Sequence, residues 1–402
     1  MINVSVGGFF VGALDRAREQ RYAFSYLPGI HARDAVSLTM RPQLASYPSA
    51  QGHLHPIFDM NLPEGFLRNW LSKAVSDFDD LALLRITGSS QIGRLQYDSG
   101  EGSLPVVSVP EILTYDGSED LFQYLLHRYA VASGISGVQP KVLVRDIESH
   151  KISKDHKVTV AGATHIVKTW DEKYPQLALN EHFGLCAAKY SGLSVPEWSL
   201  SLNGRFLIID RFDIDDGHYF GVEDFCVLAG MTSNQKYQGS YEQLARTLRL
   251  FVEPGSLVSA QRDFFKMVAL SCTVRNGDAH RKNFCLLYNS AEARVGRLSP
   301  TFDIVTTTAY IPVDSMALTM EKSKAWPGRD KLLRFASTCG LLPEEAKRCL
   351  DDVEAGVSLA REELRAATLN IPEFKVVGSA IGKGWEAGLK NLSPTPRISS
   401  KM

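Results

Sequence analysis

The pattern of apolar residues changes near residue 215, and this change limits the folds that the chain can adopt. Before it, short apolar runs separated by turn residues are typical of strands, as in Pro140–Asp146, Thr164–Lys168 and Arg205–Asp210. After it, longer stretches with a helical repeat predict amphipathic helices, namely Tyr241–Val252, Ser259–Val274 and Pro343–Thr368. This order predicts an α+β protein in which two lobes hold a ligand between them.

Residues 1 to about 100 predict a small β-rich module with one or two helices. Val4–Leu14 indicates two strands joined by a glycine turn, and Glu64–Val75 has a helical period. Val36–Met40 and Leu81–Ile86 are short apolar runs without that period. A break at 100–105 then divides the chain into an N-terminal subdomain (1–104), a strand-rich lobe (105–215), a helical lobe (216–391) and a tail (392–402) predicted to be disordered.

Composition excludes several classes of protein. A chain of 402 residues, 44% hydrophobic and 22% charged, can bury the cores of two or three domains. Basic and acidic residues number 44 and 45, so net charge gives no sign of binding to nucleic acid or to a membrane surface. Six cysteines without CxxC pairs favour a reducing compartment. Because a membrane span and a signal peptide are both absent from the pattern, we expect a cytoplasmic protein.

The densest polar cluster is Asn276–Asn283, which lies between an apolar helix and the apolar run Phe284–Tyr288. Most charged loops are solvated turns. This one places Asp278 and Asn283 at the spacing of the base and the magnesium-binding Asn in kinase catalytic loops. Asp303 follows between apolar neighbours, where an unused carboxylate would be costly.

The residue types of this cluster are compatible with two kinds of metal ion, Mg²⁺ and zinc. The oxygen ligands of Asn283 and Asp303 suit Mg²⁺, which keeps few protein ligands beside substrate phosphates. Zinc is the alternative through three nearby residues, Cys272, His280 and Cys285. Their spacing matches no finger or ribbon and lacks an evident fourth ligand, so we favour Mg²⁺.

A second group of residues precedes the cluster. Lys168 ends a predicted strand, and Glu181 stands at the start of the predicted helix Asn180–Ser191. A helix-start Glu is usually a partner of the helix dipole, but kinases also pair such a Glu with the lysine that binds ATP phosphates. The small-residue loop Ser133–Lys141 precedes that strand, and Ile209–Asp213 joins the two halves. The order of these parts along the chain is the order found in kinases: a phosphate-covering loop, the lysine, its glutamate, the hinge, the Asp–Asn pair and the last aspartate.

Taken together, these stretches resemble the HipA family of bacterial toxin kinases over nearly the whole chain. Ser136–Lys141, Asn276–Asn283 and Phe302–Ile304 are similar to the family's kinase motifs. Phe58–Arg68 and Ile92–Leu95 are similar to its N-terminal subdomain. The resemblance implies a protein-kinase-like two-lobed fold with a β-rich N-terminal subdomain and a mostly helical C-terminal lobe.

The resemblance also implies function. It implies ATP- and Mg²⁺-dependent serine/threonine phosphorylation of a host protein, which in well-known members is an aminoacyl-tRNA synthetase, so that translation and growth stop. It further implies a small helix-turn-helix antitoxin, HipB-like, that restrains the toxin and links it to operator DNA. It assigns Asp278 as catalytic base with Lys282 beside it, and Asn283 and Asp303 as ligands of Mg²⁺. The nucleotide-binding set is Ser136, Gly137, Val138, Gln139, Lys168, Asp210, Phe212, Asp213 and His280, with Glu181 as the ion-pair partner of Lys168.

The sequence departs from the family at its regulatory loop. Members with an SIxG loop are autophosphorylated on the first serine, and that position is Gly134 here. Ser136 is therefore the expected site of self-phosphorylation, with Ser133 as the alternative. Two other functions stay open: a non-catalytic ATP-binding scaffold that holds an antitoxin on DNA, and a small-molecule kinase with a deep acceptor pocket beside Asp278.

Overall fold

The chain opens with an antiparallel sheet. The computed structural model describes residues 1–17, 21–74, 79–88, 90–97, 106–117, 120–130, 133–137, 139–146 and 163–393. Strands pair in the order β4-β3-β2-β1-β5, where β1 is Ile2–Val6, β2 Phe9–Arg16, β3 Tyr22–Tyr26, β4 Tyr47–Pro48 and β5 Leu95–Tyr97. Between β4 and β5 the chain forms α1 (Pro56–Asp59), α2 (Gly65–Ala74) and α3 (Asp80–Thr87). We call residues 2–97 the N-terminal module.

The module confirms some predictions and corrects others. The two strands in Val4–Leu14 and the helix beginning near Glu64 are present as β1, β2 and α2. Leu81–Ile86 is helical, so the described module has three helices rather than one or two. Asp79 caps this helix by accepting the Ala82 N–H at 2.7 Å, a signal that the short apolar run concealed. Val36–Met40 forms no strand, only one isolated bridge between Ser37 and Met40. The predicted boundary at 100–105 lies outside the described residues.

A second sheet forms the strand-rich lobe. Its order is β6-β7-β8-β10-β9, with β6 Val106–Val107, β7 Lys141–Asp146, β8 His165–Lys168, β9 Trp198–Leu200 and β10 Leu207–Asp210. The helices of this lobe are α4 (Val109–Leu113), α5 (Leu121–Tyr129) and α6 (Leu177–Tyr190). The prediction that α6 begins at Asn180 was wrong, because Gln176 takes a left-handed conformation (φ 59°) just before Leu177 and the helix starts there. Glu181 therefore lies one turn inside the helix.

The helical lobe follows the predicted pattern closely. Its helices are α7 (Tyr241–Phe251), α8 (Leu257–Thr273), α9 (Arg329–Cys339), α10 (Pro343–Asn370) and α11 (Lys375–Leu392). Short strands complete it: β11 (Ile214–Asp215) with β12 (His218–Tyr219), and the sheet β13 (Gly221–Asp224), β14 (Cys285–Tyr288) and β15 (Arg297–Leu298). Of the predicted tail, residues 394–402 lie outside the described part. None of the helices in the described ranges is long and apolar enough to cross a membrane.

Helix α6 links the two lobes close to the segment that carries Asp303. A contiguous hydrophobic core runs from the N-terminal module through both lobes, and α6 packs within it against α10. A Cβ on Gly184 would lie 1.9 Å from the backbone oxygen of Ile304. The glycine thus permits α6 to approach the segment that carries Asp303, which brings Glu181 and Asp303 to the same place.

Candidate active site

A cavity of about 430 Å³ lies between the strand-rich and helical lobes. The predicted site residues that line it are Ser136, Gly137, Gln139, Lys168, Phe212, Asp213, Asp278, His280, Lys282, Asn283 and Asp303. Three other predicted residues, all described, are not part of its wall: Ser133, Glu181 and Asp210. Val138 lies outside the described residues. Segments distant in the sequence therefore meet at one cavity.

Lys168 stands at the centre of a buried charge network. From the end of β8, its Nζ lies 2.6 Å from Glu181 Oε1 and 2.9 Å from Asp303 Oδ1. Burial opposes the charged form of Lys168, but the two carboxylates outweigh it and raise its pKa. Burial likewise opposes ionisation of Asp303, yet the neighbouring lysines hold the pKa of that carboxyl well below its usual range. The network is therefore an ion triad with all three groups in fixed positions.

A second lysine, to which the sequence assigned no role, lies beside the first. Lys141 begins β7 and pairs across the sheet with Lys168. It is 6% exposed, lines the cavity, and its ammonium has no hydrogen-bond or ion-pair partner among the described residues. Burial, together with the positive charge of Lys168, lowers the pKa of Lys141 to about 8. An unpartnered buried cation at this position favours an anionic ligand.

Asp278 is placed by the loop around it. Its backbone N–H donates to Asn276 Oδ1 at 3.0 Å, and Asn283 Nδ2 donates to its carbonyl oxygen at 3.2 Å. The Tyr237 hydroxyl donates to Asp278 Oδ1, whereas Oδ2 has no hydrogen-bond partner in the part of the chain that the structure describes. The protein atoms packed around the Asp278 carboxyl group raise its pKa to about 6, because they exclude water from the charged form. The hydrogen bond from Tyr237 opposes that rise. A carboxylate with one free oxygen and this pKa is suited to accept a proton near neutral pH.

Asn283 and Asp303 have the donor atoms that Mg²⁺ requires. The Asn283 amide nitrogen is engaged by the Asp278 carbonyl, which leaves its Oδ1 as a free acceptor. Asp303 is ionised, and its backbone is held in the left-handed region at φ 60°. Asn276 Nδ2 donates to the Asp303 carbonyl at 3.3 Å and so ties the two segments together. A free amide oxygen and a charged carboxylate fit a hard divalent cation.

His280 belongs to the same loop and is 6% exposed. Burial lowers its pKa to about 3, so the imidazole is neutral at physiological pH. Its Nδ1 has no partner among the described residues, and its ring contacts the Tyr237 ring at 5.0 Å. The contacts of the ring are consistent with bracing of the loop.

Lys282 has a partner that the sequence analysis missed. Its Nζ lies 2.6 Å from Glu64 Oε1 in the N-terminal module, and it also donates to Ser136 Oγ at 2.5 Å and Ser233 Oγ at 2.8 Å. Glu64 also accepts from Lys236 at 2.6 Å. Glu64 lies within Phe58–Arg68, the stretch quoted for the N-terminal subdomain, but that pattern indicated no active-site role.

The loop at 133–137 distinguishes its two serines. Ser133 is fully buried, donates to the Tyr129 carbonyl at 2.7 Å and accepts from the Leu143 N–H at 2.9 Å. Ser136 faces the cavity. A Cβ at Gly134 would lie 2.1 Å from the side chain of Gln91, which gives a steric reason for glycine at that position. Of the two candidate serines, only Ser136 lines the cavity.

Of the three predicted hinge residues, Phe212 and Asp213 line the cavity and Asp210 does not. Asp210 points away from the cavity because Ile209 lines it and successive side chains of a strand alternate. The side chain of Asp210 lies 3.4 Å from His165 Nε2 and is 52% exposed. Asp213 is 2% exposed, and its carboxylate accepts from Arg211 and from the Gly93 N–H, each at 2.6 Å. Phe212 keeps an apolar ring in the cavity wall.

The alternative zinc ligands were also located. Cys272 and Cys285 are buried; the thiol of Cys272 contacts the Met316 sulfur at 3.7 Å, and that of Cys285 donates to the Lys282 carbonyl at 3.6 Å. Across the described ranges, no group of three or more His, Cys, Asp or Glu side chains is arranged to hold a metal ion.

The fold and the cavity define a two-lobed, kinase-like protein. Residues 133–360 match the HipA-like C-terminal domain, and residues 2–98 match the HipA N-terminal domain. Because the first match alone spans more than half of the sequence, the chain belongs to the HipA family.

Relatives and a solved structure agree with this. Two proteins of Sinorhizobium fredii, Y4dM and Y4mE, have names that class them as candidate kinases. Y4dM is 26% identical over 81% of this chain and 80% of its own length. Y4mE is 28% identical over 88% of this chain and 90% of its own length. Among solved structures, HipA of Shewanella oneidensis, determined with HipB and operator DNA, shares the fold at a TM-score of 0.67 and 18% identity, covering 98% of this chain and 97% of that one.

Proposed function

We propose that this protein is a serine/threonine kinase that transfers the γ-phosphate of Mg²⁺-bound ATP to a host protein and so acts as a growth-arresting toxin. One observation carries the proposal. The cavity is lined by Lys168, Asp278, Asn283 and Asp303, and the buried Glu181 pairs with Lys168 from outside the cavity wall. These are the groups that phosphoryl transfer needs for positioning and for neutralising charge.

At the nucleotide end, the two lysines bind the phosphates of ATP. Lys168 is held by Glu181, and Lys141 supplies a further unpartnered positive charge. Asn283 and Asp303 would hold Mg²⁺, which when bound would neutralise charge on the phosphate oxygens. Ser136, Gly137 and Gln139 line this end, and Gln139 is anchored by donating to the Thr169 carbonyl at 3.0 Å. Phe212 provides an apolar surface for the base.

At the acceptor end, Asp278 receives the proton of the acceptor hydroxyl. As the bond between the acceptor oxygen and phosphorus forms, the bond from phosphorus to the ADP oxygen breaks, and ADP leaves with the electron pair. Lys282 stabilises the charge of the transferred phosphoryl group. The Asp278 side chain is 39% exposed and Tyr237 is 42% exposed. Such an open acceptor end suits a protein substrate better than a small molecule in a deep pocket.

The biological role rests on the family. We propose that a HipB-like helix-turn-helix antitoxin restrains this kinase and links it to operator DNA, since the Shewanella relative was solved in such a complex. The resemblance supports a host aminoacyl-tRNA synthetase as the substrate, and a cytoplasmic site of action follows from that substrate. Ser136 is the proposed site of self-phosphorylation, because its hydroxyl lies in the cavity wall.

The test is transfer of label from [γ-³²P]ATP with Mg²⁺ to proteins of a bacterial lysate, followed by identification of the modified residue. We expect label on serine or threonine of a discrete protein, and no label with Asp278→Asn. Glu344→Gln, whose side chain is 79% exposed in the helical lobe, is the matched control and retains activity. ATP binding without any transfer would replace this proposal with the scaffold, and label only in small molecules would replace it with a small-molecule kinase.

Expression in bacteria tests the toxin role. Growth arrest should require the site, so the double variant Lys168→Ala/Asp278→Asn should grow normally. Coexpression of a HipB-like protein should restore growth to cells that produce the unaltered kinase. Equal arrest by the double variant would show that toxicity has another origin.

A further inference from the structure

The N-terminal module reaches into the kinase site through one carboxylate. Glu64 precedes α2, and its side chain is 19% exposed. Oε1 accepts from Lys282 Nζ and from Ser136 Oγ, each at 2.6 Å, and Oε2 accepts from Lys236 Nζ at 2.6 Å. A half-buried carboxylate with three close donors, two of them cationic, is a strong and geometrically specific contact.

The three donors come from three different parts of the site. Ser136 belongs to the loop at the nucleotide end, Lys282 to the loop of Asp278, and Lys236 directly precedes the tyrosine that bonds to Asp278. All three line the cavity, whereas Glu64 lies behind them. Glu64 thus contacts the site without facing the space for substrates.

Two further hydrogen bonds, one to the Asp59 carboxylate and one to a backbone carbonyl, hold the module at the same place. The Ser233 N–H donates to Asp59 of the module at 2.6 Å, and the Gly134 N–H donates to the Ser90 carbonyl at 2.9 Å. The module therefore contacts both the segment around Lys236 and the loop around Ser136 independently of Glu64. These two hydrogen bonds therefore keep Glu64 close to the site even without its own contacts.

We propose that Glu64 is a positioning residue for phosphoryl transfer, so that the N-terminal module completes the kinase site. The inference rests on the proposed kinase function. Glu64 is the direct ion-pair partner of Lys282 at 2.6 Å, and without it the ammonium would lose the contact that holds it beside Lys236 and at the phosphoryl position. Glu64 holds both lysines and the loop hydroxyl in one arrangement before ATP arrives, which lowers the cost of reaching the transition state.

The kinetic test compares Glu64→Gln with the unaltered kinase. The amide keeps the shape but removes the charge, so kcat should fall by roughly 10²-fold, the cost of misplacing a catalytic group by about 1 Å. KM for ATP should change less than about threefold, because the ion triad at the nucleotide end is untouched. Glu64→Asp should recover part of the loss, and Asp34→Asn, a carboxylate of the module remote from the cavity, should match the unaltered protein.

A second readout does not depend on kinase activity. The acylation rate of Lys282 by an amine-reactive ester, followed by mass spectrometry, should rise several-fold in Glu64→Gln, because the side chain is no longer held against the Glu64 carboxylate and becomes accessible to the reagent. Failure of the unaltered protein to transfer phosphate would refute the kinase proposal, and this labelling would still decide the role of Glu64. Unchanged labelling, an unchanged kcat, or a higher kcat as expected for an inhibitory contact would each overturn the inference.

Discussion

The two ends of the cavity are built in different ways. At the nucleotide end, the Lys168 side chain is 5% exposed and lies between two carboxylates, one of them fully buried. At the acceptor end, Asp278 keeps 39% of its side chain exposed and has a neutral tyrosine as its hydrogen-bond partner. At the first end the fold itself pairs Lys168 with two carboxylates, whereas at the second end Asp278 keeps one charge open to an incoming group.

This difference separates what each end contributes. Buried, mutually dependent charges stabilise one another, so a substitution among them affects folding as well as nucleotide binding. An accessible carboxylate contributes little to folding, so its substitution affects the rate of the reaction.

Substitution of Lys168 should give the largest effect on stability. Lys168→Met leaves Glu181 ionisable and fully buried with no cation at 2.6 Å, which should cost roughly 3–5 kcal/mol of unfolding free energy. The double variant Lys168→Met/Glu181→Gln should recover most of that loss. Denaturant unfolding measures both. Equal stability of Lys168→Met and the unaltered protein would contradict a paired, buried nucleotide end.

Asp303→Ala should weaken binding with a smaller effect on stability, because Glu181 still neutralises Lys168. Loss of the charged ligand should reduce affinity for Mg²⁺-bound ATP by about 30-fold or more, equivalent to about 2 kcal/mol. Calorimetric titration with and without Mg²⁺ measures this, with Glu344→Gln as the control. An unchanged affinity and an unchanged metal dependence would contradict the role of Asp303 as a ligand of Mg²⁺.

The pH dependence of the rate should report the acceptor end. Because Asp278 acts as a base only when ionised, the rate should rise with pH through its pKa of about 6 and then level off. Tyr237→Phe removes a hydrogen bond that favours the ionised form, so this rise should move to higher pH. Tyr190→Phe, which removes a similar bond to Glu363 far from the cavity, should leave the profile unchanged. A pH profile of Tyr237→Phe identical to that of the unaltered kinase would contradict the assignment of this rise to Asp278.

The smallest effect is expected at the hinge. Asp210 points away from the cavity toward His165, so Asp210→Asn should change ATP affinity by less than about twofold, within 0.5 kcal/mol. The same titration measures it. A tenfold loss would show that this side chain contacts the nucleotide after all.

Local patterns predicted the parts of the site that lie at the ends of regular elements. The strand ending at Lys168 and the pairing of that lysine with Glu181 could be anticipated, because strands and helices have periodic signatures and kinases use them in a known order. The start of α6 could not, because a left-handed Gln176 has no such signature.

Other features depend on contacts between distant segments. Glu64 meets Lys282 across 218 positions of the chain, and no spacing within either segment indicates that contact. Lys141 was visible as the last residue of its loop motif, but its lack of a partner emerges only when β7 and β8 pair. The direction of Asp210 likewise follows from which face of β10 meets the cavity.

The most direct test of the account is a single-turnover measurement of phosphoryl transfer by Asp278→Asn, together with its affinity for Mg²⁺-bound ATP. The account predicts that the rate falls by about 10²–10⁴-fold, the usual cost of losing a general base, while affinity stays within about twofold. Transfer at the unaltered rate would contradict the central claim that Asp278 at the open end of this cavity receives the acceptor proton.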